Sequence, residues 1–193
     1  DVRLGMSLAA AALAGHPSRD LMVVGVTGTN GKTTSTFLVR AILEAAGLPC
    51  GLVGTIEARV GGAAVPLRHT TPDAIQLQEL FARMRDAGDR ACAMEVSSHA
   101  LALHRADAIR FEVALFTNLT QDHLDFHADM EDYFGAKRML FEMEPGQAIV
   151  NVDDPKGAEL GASLPRVVTY GIDRPADVRP EHVESSLDGL RLR

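Results

Sequence analysis

The segment GTNGKTT, residues 28–34, combines two glycines, a lysine and three threonine hydroxyls. A polyphosphate needs inward-pointing backbone N–H groups, which requires glycine where a Cβ would clash. It also needs a cation and the positive end of a helix dipole, and Lys32 stands at the predicted start of a helix. The hydroxyl of Thr33 is of the type that binds Mg²⁺ in such loops. The residues predicted to bind nucleotide phosphates are Gly28, Thr29, Asn30, Gly31, Lys32, Thr33 and Thr34.

This loop departs from the standard phosphate-binding pattern at its first position. The pattern requires a glycine where this chain has Val26, with Gly25 one position earlier. The alternative interpretation is an ordinary glycine-rich turn between a strand and a helix. Because GKTT stands between those two elements, we favour the nucleotide site.

Polar residues also follow two other predicted strands. Glu95 and Ser97 lie at the end of one strand, and Asn118 and His123 follow another. In an open parallel sheet, ligands lie beyond the carboxyl ends of the strands. A carboxylate is a hard oxygen ligand, and an imidazole is a nitrogen ligand or a proton carrier. We therefore predict that these residues converge with the phosphate loop on one nucleotide–metal site.

Each of these residues also has a structural alternative. Glu95 would cap a helix that begins near Ser98, since acids favour helix N-termini. The run DHLDFH, residues 122–127, would be a solvated loop. We assign a structural role to His99 and His104, since short motifs give false positives.

Residue type alone does not decide whether two basic residues belong to the site or to the surface. Arg105 could equally be a surface arginine. Lys137 follows the inward-facing Ala136 on a predicted helix, and composition alone favours an exposed lysine there.

At 193 residues, with 46% hydrophobic and 23% charged residues, the chain has the size and composition of one globular domain. Its net charge of −7 comes without a basic cluster, which argues against a nucleic-acid partner. Cys50 and Cys92 lie in apolar runs and are predicted to be buried, reduced thiols of a cytoplasmic protein. No apolar run approaches the ~20 residues of a membrane-spanning helix, and no signal peptide is visible.

The hydrophobic pattern predicts strands that alternate with helices. Strands are predicted at residues 21–26, 48–55, 91–96, 111–117, 148–152 and 166–170, with hairpins at 56–67 and 183–193. Helices are predicted at residues 1–14, 33–46, 71–88, from about 129, and at 154–164. Helix-length connections imply an α/β fold, with a mainly parallel sheet and helices on both faces.

The pattern also predicts one helix face and a division of the chain. Leu38, Ala41, Ile42 and Ala45 fall on one face of the helix after the phosphate loop. Because the chain begins with Asp rather than Met and stops in a strand-like stretch, it looks like part of a longer protein. The prediction is a linker from an upstream domain at residues 1–20, followed by an ATP-binding central domain at residues 21–193 that is incomplete at its C-terminal end.

Five motifs resemble those of the Mur ligases in order and spacing. They are GTNGKTT, HTTPDA, MEVSSHAL, FTNLTQDHLDFH and YFGAKRMLF, and they run through nearly the whole chain. The first is shared with other ligases, whereas EVSSHAL with TNLTQDHLDFH resembles the members that add the third peptide residue. The resemblance implies a P-loop type central domain between an N-terminal domain that holds the UDP part and a C-terminal domain that completes the site.

The implied reaction is ATP-dependent amide formation in peptidoglycan precursor synthesis. The D-glutamyl carboxylate of UDP-N-acetylmuramoyl-L-Ala-D-Glu attacks the γ-phosphorus of ATP, which gives an acyl phosphate and ADP. The amino group of a diamino acid, diaminopimelate or lysine, then displaces phosphate. Both first-step reactants are anions, so catalysis is mostly positioning and charge stabilisation. The implied enzyme is a cytoplasmic monomer that uses two Mg²⁺ ions, and the isolated fragment is expected to be inactive.

By the same resemblance, Lys32, His123 and Lys137 form the catalytic set. Thr33 and Glu95 would hold one Mg²⁺, and His123 would serve a second. Lys137 matches the family lysine that is carbamylated by CO₂. A carbamate exchanges a cation for a bidentate oxygen ligand, and desolvation of a lysine lowers its pKa toward the neutral amine that reacts.

The resemblance also implies contacts with the UDP-muramoyl dipeptide at Thr70, Thr71, Ser97, Arg105 and Asn118. The family often has Gln two residues before the arginine, where this chain has Leu103. That difference puts one polar substrate contact in question.

Three alternatives share parts of this pattern. Folylpolyglutamate synthase or another Mur-type ligase would share the loop and the lysine but is not expected to carry EVSSHAL. A P-loop switch or simple ATPase has no need for a carboxylate, a histidine and a lysine aimed at the γ-phosphate. The piece by itself would be a nucleotide-binding module without activity.

Overall fold

The computed structural model describes residues 1–67, 69–186 and 189–192. Its helices are α1 (Val2–Leu13), α2 (Lys32–Ala45), α3 (Ala74–Asp86), α4 (Ser98–Ala102), α5 (Met130–Glu142) and α6 (Pro155–Ser163), with a 3₁₀ turn at Pro17–Arg19. Its strands are β1 (Met22–Thr27), β2 (Cys50–Val53), β3 (Ala58–Val60), β4 (Ala63–Val65), β5 (Ala91–Glu95), β6 (Val113–Phe116), β7 (Gln147–Asn151), β8 (Val167–Tyr170), β9 (Val183–Ser186) and β10 (Gly189–Leu192).

Eight strands form one sheet in the order β4-β3-β2-β5-β1-β6-β7-β8. Within this sheet, neighbouring strands in the run β2-β5-β1-β6-β7-β8 are parallel, whereas the β2–β3 and β3–β4 pairs are antiparallel. β1 therefore lies between β5 and β6, which brings their carboxyl ends to the phosphate loop. The predicted convergence of these three strand ends is confirmed.

The predicted elements are present with ends shifted by up to three residues. The first hairpin turns through Gly61 and Gly62, which have φ of +55° and +80°, as a tight turn requires. The last hairpin is the antiparallel pair β9–β10, and residues 187, 188 and 193 of that prediction lie outside the described part of the chain. None of the helices in the described ranges has the length and apolar character of a membrane-spanning segment.

Helices cover the sheet on both faces, as predicted. On one face, α2 packs through Phe37, Val39 and Leu43 against a cluster that contains Leu52 and Ala93. The larger cluster combines the alternate β5 side chains with α3, α5 and α6. Its members include Leu77, Phe81, Cys92, Met94, Phe134, Leu140 and Leu160.

The four apolar residues predicted to share one face of α2 do so, but that face does not pack against the sheet. Leu38 and Ile42 are 59% and 66% exposed, and Ala41 and Ala45 are also exposed. The helix has two apolar stripes, and the loop that precedes it selects the other one. Because the side chain of Thr33 points at the site, the residues that follow it at helical spacing turn toward the sheet.

Candidate active site

The phosphate loop leaves the carboxyl end of β1 and leads into α2. Gly28 has φ of +141° and Gly31 has φ of +84°, which L side chains rarely adopt. A Cβ on Gly28 would also lie 1.9 Å from Thr117 Oγ1. Glycine at position 28 is therefore required both by the backbone conformation and by the close approach of the chain after β6.

Hydrogen bonds join the chain after β6 to the phosphate loop. Thr117 Oγ1 donates to Asn30 O at 2.7 Å. The side-chain amide of Asn118 accepts from Asn30 N at 3.0 Å and donates to Asn30 O at 3.1 Å. The predicted substrate residue Asn118 thus uses both ends of its amide to hold the phosphate loop.

Lys32 folds back over the phosphate loop. Its Nζ donates to Gly28 O at 3.0 Å and to Thr29 O at 2.8 Å. Burial lowers the pKa of Lys32, while the carboxylates of Glu95 and Asp122 act in the opposite direction. Phosphate oxygens would replace the two carbonyl groups as partners of this ammonium group.

Thr33 and Glu95 are joined across the site. Thr33 Oγ1 donates to Glu95 Oε1 at 2.9 Å, and Glu95 is buried. The carboxylate also accepts from the N–H of Thr55 at 2.8 Å and from its hydroxyl at 3.0 Å. The helix-cap alternative for Glu95 is wrong, because the Ser97 side chain caps α4 by accepting from Ala100 N.

Thr33 and Glu95 form a pair of hard oxygen donors, which suits Mg²⁺. In the described ranges, no group of three or more His, Cys, Asp or Glu side chains is arranged to hold a metal ion. A Mg²⁺ at this pair would therefore need further ligands from phosphate oxygens and water, which is how Mg²⁺ binds at nucleotides.

Lys137 reaches the same place from α5. It is 1% exposed, its Nζ donates to Gly28 O at 2.8 Å, and the amine lies 4.3 Å from the centre of the Tyr133 ring. Burial, together with the charge of Lys32, lowers the pKa of Lys137 to about 7. The surface-lysine alternative is wrong. Two of the three lysines in the sequence share one carbonyl oxygen.

His123 lies on the loop after β6 with φ of +53°, a strained value for a non-glycine residue. Its ring centre is 5.9 Å from that of Tyr133 and 4.8 Å from that of His99. Its Nε2 lies 3.6 Å from Asp122 Oδ2. The predicted catalytic residues therefore lie around Tyr133 and the phosphate loop.

The solvated-loop alternative for residues 122–127 holds only in part. Leu124 and Phe126 are exposed, but His127 is buried. His127 Nε2 lies 3.0 Å from Ser98 Oγ, and its Nδ1 lies 3.2 Å from Asp132 Oδ2. The loop is thereby tied to the start of α4 and to the first turn of α5.

A cavity beside Glu95 contains four of the five predicted substrate residues. It is lined by His69, Thr70, Thr71, Ser97, His99, Arg105 and His123. Arg105 Nη1 donates to Thr71 O at 3.0 Å, and Thr71 Oγ1 donates to Glu95 O at 2.9 Å. The fifth predicted substrate residue, Asn118, is not among the residues that line this cavity. The cavity shares His123 with the predicted metal ligands.

Sequence reasoning missed the position of His99, which it assigned a structural role. The His99 ring lines the cavity and lies 4.1 Å from the Phe126 ring. Burial, followed by the neighbouring His123 and His127, lowers the pKa of His99, which favours the neutral imidazole. Its place two residues after Ser97, just beyond a strand end, was the signal available in the sequence.

Comparison with known proteins identifies the family of this chain. Residues 26–193 match the Mur ligase middle domain. The chain belongs to the Mur ligase family. A UDP-N-acetylmuramoyl-L-alanyl-D-glutamate–2,6-diaminopimelate ligase of Geobacter metallireducens is 48% identical over 199 residues, which cover 98% of this chain and 39% of the relative. This Mur ligase chain thus spans well under half the length of that relative.

Solved structures share the fold. One of a UDP-N-acetylmuramoyl-L-alanyl-D-glutamate–2,6-diaminopimelate ligase matches with a TM-score of 0.85 and 29% identity, over 100% of this Mur ligase chain and 41% of that one. Mycobacterium tuberculosis folylpolyglutamate synthase, solved with ADP and AMPPCP, matches with a TM-score of 0.73 over 99% of this chain and 50% of that one. Its identity is 19%, so this second likeness shows the fold alone.

Proposed function

We propose that this chain is the ATP-binding central part of a ligase that joins diaminopimelate to UDP-N-acetylmuramoyl-L-Ala-D-Glu. The buried Lys137, which shares Gly28 O with Lys32, carries this proposal. A switch or simple ATPase needs a lysine at the phosphates, which Lys32 supplies. A ligase must bring a carboxylate to the same triphosphate, and a second group at the phosphate loop serves that need. The names of the relatives favour diaminopimelate over lysine as the added residue.

ATP would bind at the phosphate loop and the first turn of α2. The N–H groups of Thr29 and Asn30 already bond Asn118. The first N–H groups of α2, at residues 32–34, have no partner within the helix and would take the phosphates. Lys32 would neutralise the β- and γ-phosphates. A Mg²⁺ ion held by Thr33 and Glu95 would neutralise further phosphate charge.

Lys137 would react as the neutral amine with CO₂, which gives a carbamate and a proton. Its pKa of about 7 supports this step, because a large share of the amine is uncharged near neutral pH. Carbamate oxygens and His123 would then serve a second Mg²⁺. The carbamate would also turn the repulsion between Lys137 and Lys32 into attraction.

The cavity beside Glu95 would hold the UDP-muramoyl dipeptide. Arg105 offers a guanidinium group for a carboxylate, and Thr70, Thr71 and Ser97 offer hydroxyl groups. In this proposal, residues 1–20 connect to an upstream domain that holds the UDP part. A downstream domain completes the site of residues 21–193. The enzyme would act as a cytoplasmic monomer without a nucleic-acid or membrane partner.

The proposal is tested with a protein that carries this chain between such flanking domains. ADP release should require both UDP-N-acetylmuramoyl-L-Ala-D-Glu and an amino acid, and diaminopimelate should support it better than lysine. Release with folate and glutamate would instead favour folylpolyglutamate synthase. ATP binding without ADP release under any of these conditions would leave only the nucleotide-binding module.

Replacing Thr33 with alanine should weaken Mg·ATP binding by about tenfold, because one charge-assisted oxygen ligand is lost. Calorimetry with and without Mg²⁺ measures this, and the loss should be confined to the Mg²⁺ titration. Ser35→Ala, which removes a hydroxyl from the same helix, is the matched control. Undiminished affinity in Thr33→Ala would contradict the metal assignment.

A further inference from the structure

Tyr133 contacts three parts of the candidate site, which lie on the phosphate loop, on α5 and on the loop after β6. It is fully buried on α5. Its hydroxyl lies 3.2 Å from Thr29 Oγ1 of the phosphate loop. Its ring faces the amine of Lys137 at 4.3 Å and stands edge-on to His123 at 5.9 Å. One side chain thus connects the phosphate loop, the buried lysine and the loop after β6.

The hydrogen bonds of Thr29 determine which group donates at this contact. Thr29 Oγ1 donates to Thr120 O at 3.2 Å and accepts from Thr120 N at 3.0 Å. A hydroxyl has one proton, so all three contacts of Thr29 Oγ1 are satisfied together when Tyr133 is the donor at 3.2 Å. Burial raises the pKa of Tyr133, which keeps that proton in place. Phenylalanine at position 133 would remove this hydrogen bond to the phosphate loop.

The Tyr133 ring is fixed from its other side as well. The ring of His127 lies 5.1 Å away, and His127 is itself held between Ser98 and Asp132. The tyrosine therefore has a single orientation in which its face is presented to Lys137 and its hydroxyl to Thr29. The ring face packs against Lys137 Nζ at 4.3 Å, so this orientation also limits where the Lys137 side chain lies.

We propose that Tyr133 is a positioning residue that holds the phosphate loop and the Lys137 side chain in their binding arrangement before the nucleotide enters. It acts through Thr29 and Lys137. The identity of the ligand, ATP, rests on the proposed function, whereas the ordering of the ligand-free loop does not. Binding to a loop that is already ordered costs less conformational entropy, so the loss of this ordering weakens binding.

The test compares Tyr133→Phe with Tyr170→Phe in this chain. Tyr170 is the second of two tyrosines in the sequence, and its hydroxyl donates to Phe116 O of β6 at 3.3 Å rather than to the phosphate loop. Without nucleotide, Tyr133→Phe should speed amide hydrogen exchange in residues 27–33 by about fivefold, the effect of one hydrogen bond. It should weaken Mg·ATP binding by about the same factor. Tyr170→Phe should leave both values unchanged.

A second variant, Thr29→Val, decides whether Tyr133 acts through Thr29. In the Thr29→Val background, Tyr133→Phe should add no further change in exchange or affinity. Unchanged exchange in Tyr133→Phe, or an undiminished effect in the Thr29→Val background, would overturn the proposal. If the wild-type chain does not bind Mg·ATP, the ATP assignment fails, and the exchange rates alone still decide the role of Tyr133.

Discussion

Replacing Lys137 with alanine should lower ligation turnover by about a thousandfold in a protein that carries the flanking domains. In the proposed mechanism, the change removes the amine that would become the carbamate, and with it an oxygen ligand at the point where negative charge develops. ATP should still bind, because Lys32 and the first turn of α2 are unchanged. We therefore expect a large fall in kcat with a small change in the KM for ATP. Steady-state assays of ADP release measure both.

Lys156→Ala is the matched control for this prediction. Lys156 also lies over an aromatic ring, that of Phe134 at 4.8 Å, but it pairs with Glu131 and Glu159 at the surface. Its removal should leave turnover unchanged. A short carboxylate such as acetate should restore part of the activity of Lys137→Ala, because it supplies the missing oxygen ligands. Wild-type turnover in Lys137→Ala would refute the carbamate role.

Replacing Gly28 with alanine should weaken Mg·ATP binding by at least about a hundredfold, since binding depends on the geometry of the loop. The new Cβ would lie 1.9 Å from Thr117 Oγ1 and 3.0 Å from the backbone of Asn118, at a φ of +141°. The loop must therefore separate from the chain after β6. The free energy of unfolding should fall by about 2–4 kcal/mol. Calorimetry and urea unfolding measure the two effects.

Gly31→Ala separates backbone strain from steric conflict in the same loop. Gly31 also has a positive φ, of +84°, but a Cβ there would meet only Thr117 Cγ2 at 4.0 Å. Its free energy of unfolding should fall by about 1–2 kcal/mol, the cost of a left-handed L residue. Equal losses in the two variants would show that the close approach at Gly28 has no energetic weight.

Local sequence was sufficient for the phosphate loop and for the order of strands and helices. Gly28 and Gly31 meet a requirement for positive φ that is set within a few residues. Hydrophobic periodicity together with turn and cap residues likewise predicted the Gly61–Gly62 hairpin and the cap of α5 at Asp129. The face of α2 could not be predicted, because its two apolar stripes are equivalent until the sheet selects one.

The sequence by itself determined which chemical groups are present and that parallel strands would deliver them to one edge. Only the tertiary structure decided what each group does there. Lys137 is buried because α5 lies against the phosphate loop. Asn118 forms hydrogen bonds with Asn30 because β6 is the neighbour of β1. Burial and pairing of this kind depend on residues about a hundred positions apart, and no local pattern encodes such distances.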